Sequence, residues 1–220
     1  MERGFAIVPG VLQQTEIVEL LKHLIGSNLP RSRAGIRHAL KNLTVAEFAR
    51  HSQLTNIAQK VLGKEAFPFR ATLFDKSPVS NWLVVWHQDT ALPLRERHEA
   101  LGWGPWSIKN GVYYAHAPAS ALGQVLALRV HLDDSTVENG PLRVLPATHT
   151  LGVLNDDALH ALSTQRAPVE CLVTAGGVLA MRPLMVHASS KSKSEKPRRV
   201  LHIEYAATGK FPEGLELATA

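Results

Sequence analysis

His87 and Asp89, in Trp86-His-Gln-Asp89, stand two residues apart at the end of a segment that reads as a strand from about Trp82. In extended geometry both side chains leave the same face. A neutral imidazole and a carboxylate suit a divalent iron, and two such donors on one face are half of a chelate. Taken alone, a His-x-Asp pair also reads as an ordinary solvated pair. His187, in Arg182-Pro-Leu-Met-Val-His-Ala-Ser189, adds a third donor 100 residues later, after a strongly apolar run. Two histidines and one carboxylate compose the facial triad of non-haem iron oxygenases, with coordination positions left open. Eleven residues beyond His187 comes Arg198, behind Pro197 and ahead of Arg199-Val-Leu-His-Ile-Glu-Tyr205. A guanidinium in that place is a natural bidentate partner for a carboxylate.

The elements that must position these residues follow from hydrophobic periodicity. Phe5–Val8 is a short β-prone run closed by Pro9-Gly10. Ile17, Leu20, Leu21, Leu24 and Ile25 recur at helical spacing before Gly26. Ser52 is placed to cap a second helix, in which Leu54, Ile57, Ala58, Val61 and Leu62 share a face before Gly63. From about residue 66 the pattern changes. Segments 66–75, 82–87, 112–117, 124–133, 141–145, 168–174, 177–182 and 199–206 are short, apolar or alternating, and separated by turn residues. The expected fold is mainly β with N-terminal helices, a sandwich or jelly roll. One domain is expected over 1–220, helical at about 11–63 and β-rich at about 66–206. Residues 88–111, with Trp103-Gly-Pro-Trp106, are expected to form one long irregular loop.

Four motifs occur in order: His87-Gln-Asp89, Asn139-Gly-Pro-Leu-Arg-Val-Leu-Pro-Ala-Thr-His149, His187-Ala-Ser189 and Pro197-Arg-Arg-Val200. In this order and spacing the chain resembles the phytanoyl-CoA dioxygenase family, from about residue 5 to 206. The resemblance implies a double-stranded β-helix, a jelly-roll or cupin-like barrel, using Fe(II), 2-oxoglutarate as cosubstrate and O₂. It implies that His87, Asp89 and His187 ligate iron. It also implies that Arg198 pairs with the distal carboxylate of 2-oxoglutarate, helped by the Ser189 hydroxyl. The chain departs from the family's pattern at Pro146-Ala-Thr-His149, often Pro-Gly-Ser-His, and at Ala175-Gly-Gly-Val178, often carrying an Asp. Both lie outside the implied ligands. Related halogenases replace the carboxylate with Ala or Gly, so Asp89 implies a hydroxylase. A cupin-type metalloenzyme without 2-oxoglutarate is the alternative on a similar barrel, but the His-x-His pair usual there does not occur. A non-catalytic sensor on this fold would have lost a ligand.

Arg70, Thr72, Phe74 and Lys76 alternate with Ala71, Leu73 and Asp75, and the first set has members that can face the cosubstrate. Arg70 and Thr72 are the candidates, with an ordinary salt-bridged edge residue as the plainer reading of Arg70 and Lys76. Trp103, Trp106, Tyr113 and Tyr114 read either as a roof over the substrate or as packing between loop and barrel. Of the 11 histidines, His23, His51 and His160 read as surface residues, and His131 and His202 as hydrogen-bonded core or rim residues. His149 reads as structural support in its motif loop. Cys171, the one cysteine, lies in a strand-like run, which excludes an internal disulfide and fits a buried small side chain.

Lys plus Arg exceed Asp plus Glu by 24 to 19, a formal +5. The excess collects in two runs, Arg31–Lys41 and Lys191–Arg199. The second is expected to attract the dianionic cosubstrate, and an anionic small-molecule substrate with it. The first reads as a solvated loop or a substrate-facing rim. Neither is interleaved with aromatics, so no nucleic-acid partner is expected. No apolar run approaches the ~20 residues that span a bilayer, so no membrane association is expected. Met1-Glu-Arg-Gly-Phe5 lacks a signal-peptide pattern, which makes the cytoplasm the expected compartment. The substrate's identity and the oligomeric state do not follow from these motifs.

Overall fold

Helical periodicity gives way to strand alternation near residue 66, and the elements divide there. A computed structural model describes residues 1–26, 31–32 and 35–219; Arg33, inside the first basic run, lies outside the described residues. In chain order the elements begin with β1 (Phe5–Val8), α1 (Gln14–Ile25), β2 (Arg31–Ser32), β3 (Gly35–Ile36), α2 (Leu43–Phe48) and α3 (Ser52–Leu62). They continue with β4 (Phe67–Lys76), β5 (Val84–His87), β6 (Ala91–Leu94), β7 (Trp106–Lys109), β8 (Val112–His116), α4 (Ala119–Leu122) and β9 (Val125–His131). The remainder are β10 (Leu142–Val144), α5 (Asp156–Gln165), β11 (Val169–Cys171), β12 (Val178–Met181), β13 (His187–Ser189) and β14 (Arg198–Ala206).

The strands form a seven-stranded sheet, β1-β12-β9-β14-β4-β3-β2, a four-stranded sheet, β11-β10-β13-β5, and a three-stranded sheet, β6-β8-β7. The sheets stay separate and do not close, so the expected barrel is an open sandwich of jelly-roll type. Period-2 alternation gives the large sheet two different faces. Ala71 and Leu73 of β4, Leu126, Leu128 and Val130 of β9, and Leu201, Ile203 and Tyr205 of β14 are buried with Ile17, Leu20 and Leu24 of α1, Val45 of α2, and Leu54 and Ala58 of α3. Tyr205 Oη donates to the Ala49 carbonyl at 2.6 Å, tying the helical layer to the central strand. On the opposite face, Ala127, Leu179 and Met181 meet Leu142, Val144 and Cys171 of the four-stranded sheet. Cys171 is a buried free thiol, as expected.

Several expectations need correction. Residues 88–111 are not one irregular loop: they contain β6 and β7, which pair with β8. The Arg31–Lys41 run is not a simple solvated loop either, since β3 pairs with β4 and Ile36, Ala39 and Leu40 are buried. There Gly35, at φ +131°, is required because an added Cβ would lie 1.9 Å from the Leu73 carbonyl oxygen. Ser52 is the first residue of α3 rather than its cap, which is His51.

Candidate active site

β5 and β13 pair antiparallel with His87 directly opposite His187, and their rings lie 4.2 Å apart between centroids. Each imidazole is held by its own strand: Nδ1 donates to the carbonyl two residues earlier, Val85 at 2.9 Å for His87 and Met185 at 2.8 Å for His187. That fixes the tautomer and leaves the Nε2 lone pair free. Asp89 follows the end of β5, where its backbone N–H donates to the Pro183 carbonyl at 2.9 Å. The middle residue of His-Gln-Asp explains itself. Buried Gln88 donates to the Gly152 and Leu184 carbonyls at 2.9 and 2.8 Å and accepts from the Leu154 N–H at 2.8 Å, so it pins the turn that carries Asp89.

The Asp89 carboxylate reaches both Nε2 atoms, at 3.7 Å for His87 and 3.6 Å for His187. The three donor atoms lie within 4.8 Å of one another. Burial alone would raise the Asp89 pKa, but His187, His202, His87 and Arg70 outweigh it and hold the carboxyl at about 2. Burial lowers the His187 pKa to about 4 against the pull of Asp89. An ionised carboxylate beside two imidazoles, each oriented through Nδ1 with Nε2 left to coordinate, is a donor set that fits a divalent iron.

These donors open on a cavity of about 290 Å³ whose opposite wall belongs to the seven-stranded sheet. Arg70, Thr72, Phe74 and Lys76 all line it, in the alternation read from the sequence. Cross-strand register sets Lys76 opposite Arg198, Thr72 opposite His202, and Arg70 opposite Glu204. Arg129 of β9 sits opposite His202. Arg198 donates to the Asn139 carbonyl at 3.1 Å and approaches Ser189 Oγ at 3.4 Å; Lys76 Nζ donates to the same hydroxyl at 2.9 Å. Ser189 Oγ in turn donates to the Gly140 carbonyl at 2.9 Å. Gly140 is itself constrained, because a Cβ there would lie 2.3 Å from the Ser190 carbonyl oxygen.

Lys76 is 1%, Arg198 5% and Arg129 7% exposed, and no carboxylate forms an ion pair with any of them among the described residues. Lys76 is therefore not the salt-bridged edge residue that its position suggested. Burial, then Arg198 and Arg129, push its pKa down to about 7. Burial and Arg129 lower Arg198 to about 10. Like charges facing each other across a ladder are destabilising, so an anion bound on this floor would relieve a repulsion present in the fold. Arg70 is different: it forms a two-pronged ion pair with Glu204 and also donates to the Ala91 carbonyl at 3.1 Å. Of the second basic run, only Arg198 lines the cavity; Arg199 pairs with Asp133 at 2.8 Å.

The aromatic roof needs correction. Trp103 is buried against Phe211, 5.0 Å between centroids, in a separate core beneath the three-stranded sheet. Trp106 packs on that same core, and Tyr113 faces away from the cavity. Tyr114, one residue on and so on the other face of β8, is the one of these four aromatics that lines it. His202 also lines the cavity, its Nδ1 3.2 Å from Arg129, whereas both ring nitrogens of buried His131 lack a hydrogen-bond partner, contrary to expectation. His149 lies against Gly4, outside the cavity.

A family model described as phytanoyl-CoA dioxygenase (PhyH) matches residues 1–200. L-proline trans-4-hydroxylase from Streptomyces griseoviridis is 26% identical over 138 residues, which are 51% of this chain and 51% of that protein. The match thus spans about half the length of the curated relative. HygX from Streptomyces hygroscopicus, solved with nickel and 2-oxoglutarate bound, aligns with TM-score 0.68 and 15% identity over 95% of this chain and 85% of its own. EctD from S. alaskensis, solved with 2-oxoglutarate and 5-hydroxyectoine, aligns with TM-score 0.70 and 18% identity over 93% of this chain and 72% of its own. The double-stranded β-helix fold follows from these likenesses.

Proposed function

We propose, for a chain that belongs to the phytanoyl-CoA dioxygenase family, the activity of an Fe(II)- and 2-oxoglutarate-dependent oxygenase that hydroxylates a C–H bond of a small molecule. The observation that carries this reading is the convergence of His87, Asp89 and His187 opposite a buried floor of unpaired cations. These three side chains would hold the iron. With iron bound, 2-oxoglutarate and O₂ supply the oxidising chemistry: the keto acid is split to succinate and CO₂, one oxygen atom enters succinate, and the other enters the substrate C–H bond. Arg198, Lys76 and the Ser189 hydroxyl receive the distal carboxylate, and Arg129 adds positive charge beside them. Thr72 offers its hydroxyl to the cosubstrate from the same wall. Arg70, held by Glu204, shapes that wall rather than supplying free charge.

The protein's own contribution is placement. Carbonyl clamps aim the imidazoles, Gln88 fixes the Asp89 turn, and a carboxylate in the third position favours hydroxylation over halide transfer. The substrate of this cationic cavity is anionic. The whole chain acts as one catalytic domain. Among the described residues no helix is long and apolar enough to cross a membrane, and we place the enzyme in the cytoplasm. Anaerobic addition of Fe(II) and 2-oxoglutarate should produce the visible charge-transfer band of a chelated keto acid. No band with the wild-type protein, or a band unchanged in His87→Ala and Asp89→Ala, would overturn the reading.

A further inference from the structure

The cavity carries more positive charge than iron and cosubstrate can use, and part of the surplus, Arg37 and Lys109, is exposed at its mouth. Among the described residues Asp89 and Glu204 are the only acidic ones that line it. Glu204 cancels Arg70. Fe(II) and the 2-oxoglutarate dianion cancel each other, and Asp89 offsets one of the five remaining cations, Lys76, Arg129, Arg198, Arg37 and Lys109. Four stay uncompensated with the cosubstrate in place, or three once Lys76 has lost its proton.

Arg37 and Lys109 are exposed, and no described carboxylate pairs with either. They reach the cavity from different elements, Arg37 from the turn after β3 and Lys109 from the end of β7. Between them stands His38, in the left-handed region at φ +54°, a conformation that costs a non-glycine residue energy and clusters at functional sites. Its Nε2 is buried without a partner and its ring faces Tyr114, 6.3 Å between centroids. Lys109 Nζ lies 4.9 Å over that same tyrosine ring. Burial, then Arg37 and Arg70, lower Lys109; burial, then Lys41, Arg70 and Arg37, lower His38 against a hydrogen bond from its ring to the Lys109 backbone. Two cations and an unsatisfied imidazole nitrogen, held close with no counter-charge, make an oxyanion subsite separate from the floor built by Lys76, Arg129 and Arg198.

We propose that Arg37, His38 and Lys109 bind a carboxylate or phosphate of the prime substrate at the cavity mouth, so that the carbon to be hydroxylated extends inward past Tyr114 toward the triad. The inference rests on the oxygenase reading and names the substrate class for it. A cavity of about 290 Å³ is at the small end for ligand sites. It must also hold the cosubstrate, which restricts the substrate to a small anion.

The test uses the full chain loaded with Zn(II), as a diamagnetic stand-in for iron, and saturating 2-oxoglutarate, so that the floor is occupied. Propionate, methyl phosphate and neutral propionamide are titrated while the His38 ring resonances are followed by NMR, assigned through His38→Gln. Expected is a saturable shift with one or both anions and none with propionamide. Saturation by propionate alone marks a carboxylate substrate, and by methyl phosphate alone a phosphate ester. Arg37→Gln or Lys109→Gln, both at exposed positions, should each weaken the anion roughly tenfold. No saturable shift, an equal response to propionamide, or undiminished affinity in both variants would overturn the proposal. Failure of the protein to take up Zn(II) and 2-oxoglutarate, measured beforehand by calorimetry, would instead count against the oxygenase reading on which it rests.

Discussion

The two sheets that face each other across the cavity contribute opposite chemistry by opposite means. The four-stranded sheet carries the two imidazoles proposed to hold the metal on short strands, β5 at its edge and β13 beside it, and each is secured by a carbonyl of its own strand. The seven-stranded sheet carries cations on its long interior strands β4, β9 and β14, and their spacing is set by register between strands distant in sequence. Donor geometry is thus a local property and charge placement a global one. An error in the first costs metal; an error in the second costs the fold, the cosubstrate, or both.

The sharpest way to break this contrast is His187→Ala, which should remove the charge-transfer band and succinate release altogether while the urea-unfolding midpoint falls only modestly. On the opposite sheet, Glu204→Gln leaves Arg70 as an uncompensated buried charge and should cost roughly 3–5 kcal/mol of stability, read by urea unfolding. Arg198→Gln removes charge-assisted hydrogen bonds of roughly 1.5–3 kcal/mol. It should weaken 2-oxoglutarate roughly 10- to 100-fold in the anaerobic titration, with the triad intact.

Lys76→Met has the subtlest effect and separates the two roles of the floor. The folded-state pKa of Lys76 is lowered from 10.5 to about 7, so between these values the unfolded chain binds the extra proton. Stability of the unloaded protein should therefore rise with pH across that window, and Lys76→Met should flatten the rise. Affinity for the dianion should run the other way, falling in the wild type above about pH 7 as Lys76 discharges and becoming nearly pH-independent in the variant. Calorimetry at several pH values checks both.

What could be read from the sequence follows the same division. The spacing of His87, Asp89, His187 and Arg198 is contained in short motifs, and the alternation of β4 correctly put Arg70, Thr72, Phe74 and Lys76 on one face. Whether Lys76 had a carboxylate partner was not legible, because that depends on β13 and β14, which meet β4 only in the fold. Arg129 gave no signal beyond being one cation within an apolar strand. β6 was hidden by Pro93, which argues against a strand until its edge position is known. α5 buries no residue completely and so leaves little apolar stripe to detect. Trp103 took the packing reading rather than the roof because its partner Phe211 lies more than 100 residues away, and Tyr113 is on the outer face of β8 because sequence cannot say which face of a loop-borne strand turns inward.

β14 joins β4 to β9 at the centre of the large sheet, yet among the described residues it is the last of the 14 strands in chain order. At roughly 5–20 residues per second, a ribosome needs on the order of ten seconds to pass from Lys76 to the Arg198 that it will face. Through that interval β4, and from its own synthesis onward β9, lack the partner that lies between them, and each exposes an unpaired edge with apolar side chains. The sheet cannot grow outward from its first strands; it closes by insertion of a late one. Biogenesis of this molecule is therefore a waiting problem, in which the nascent chain must be kept from pairing β4 directly with β9 until the strand that belongs between them has been synthesised.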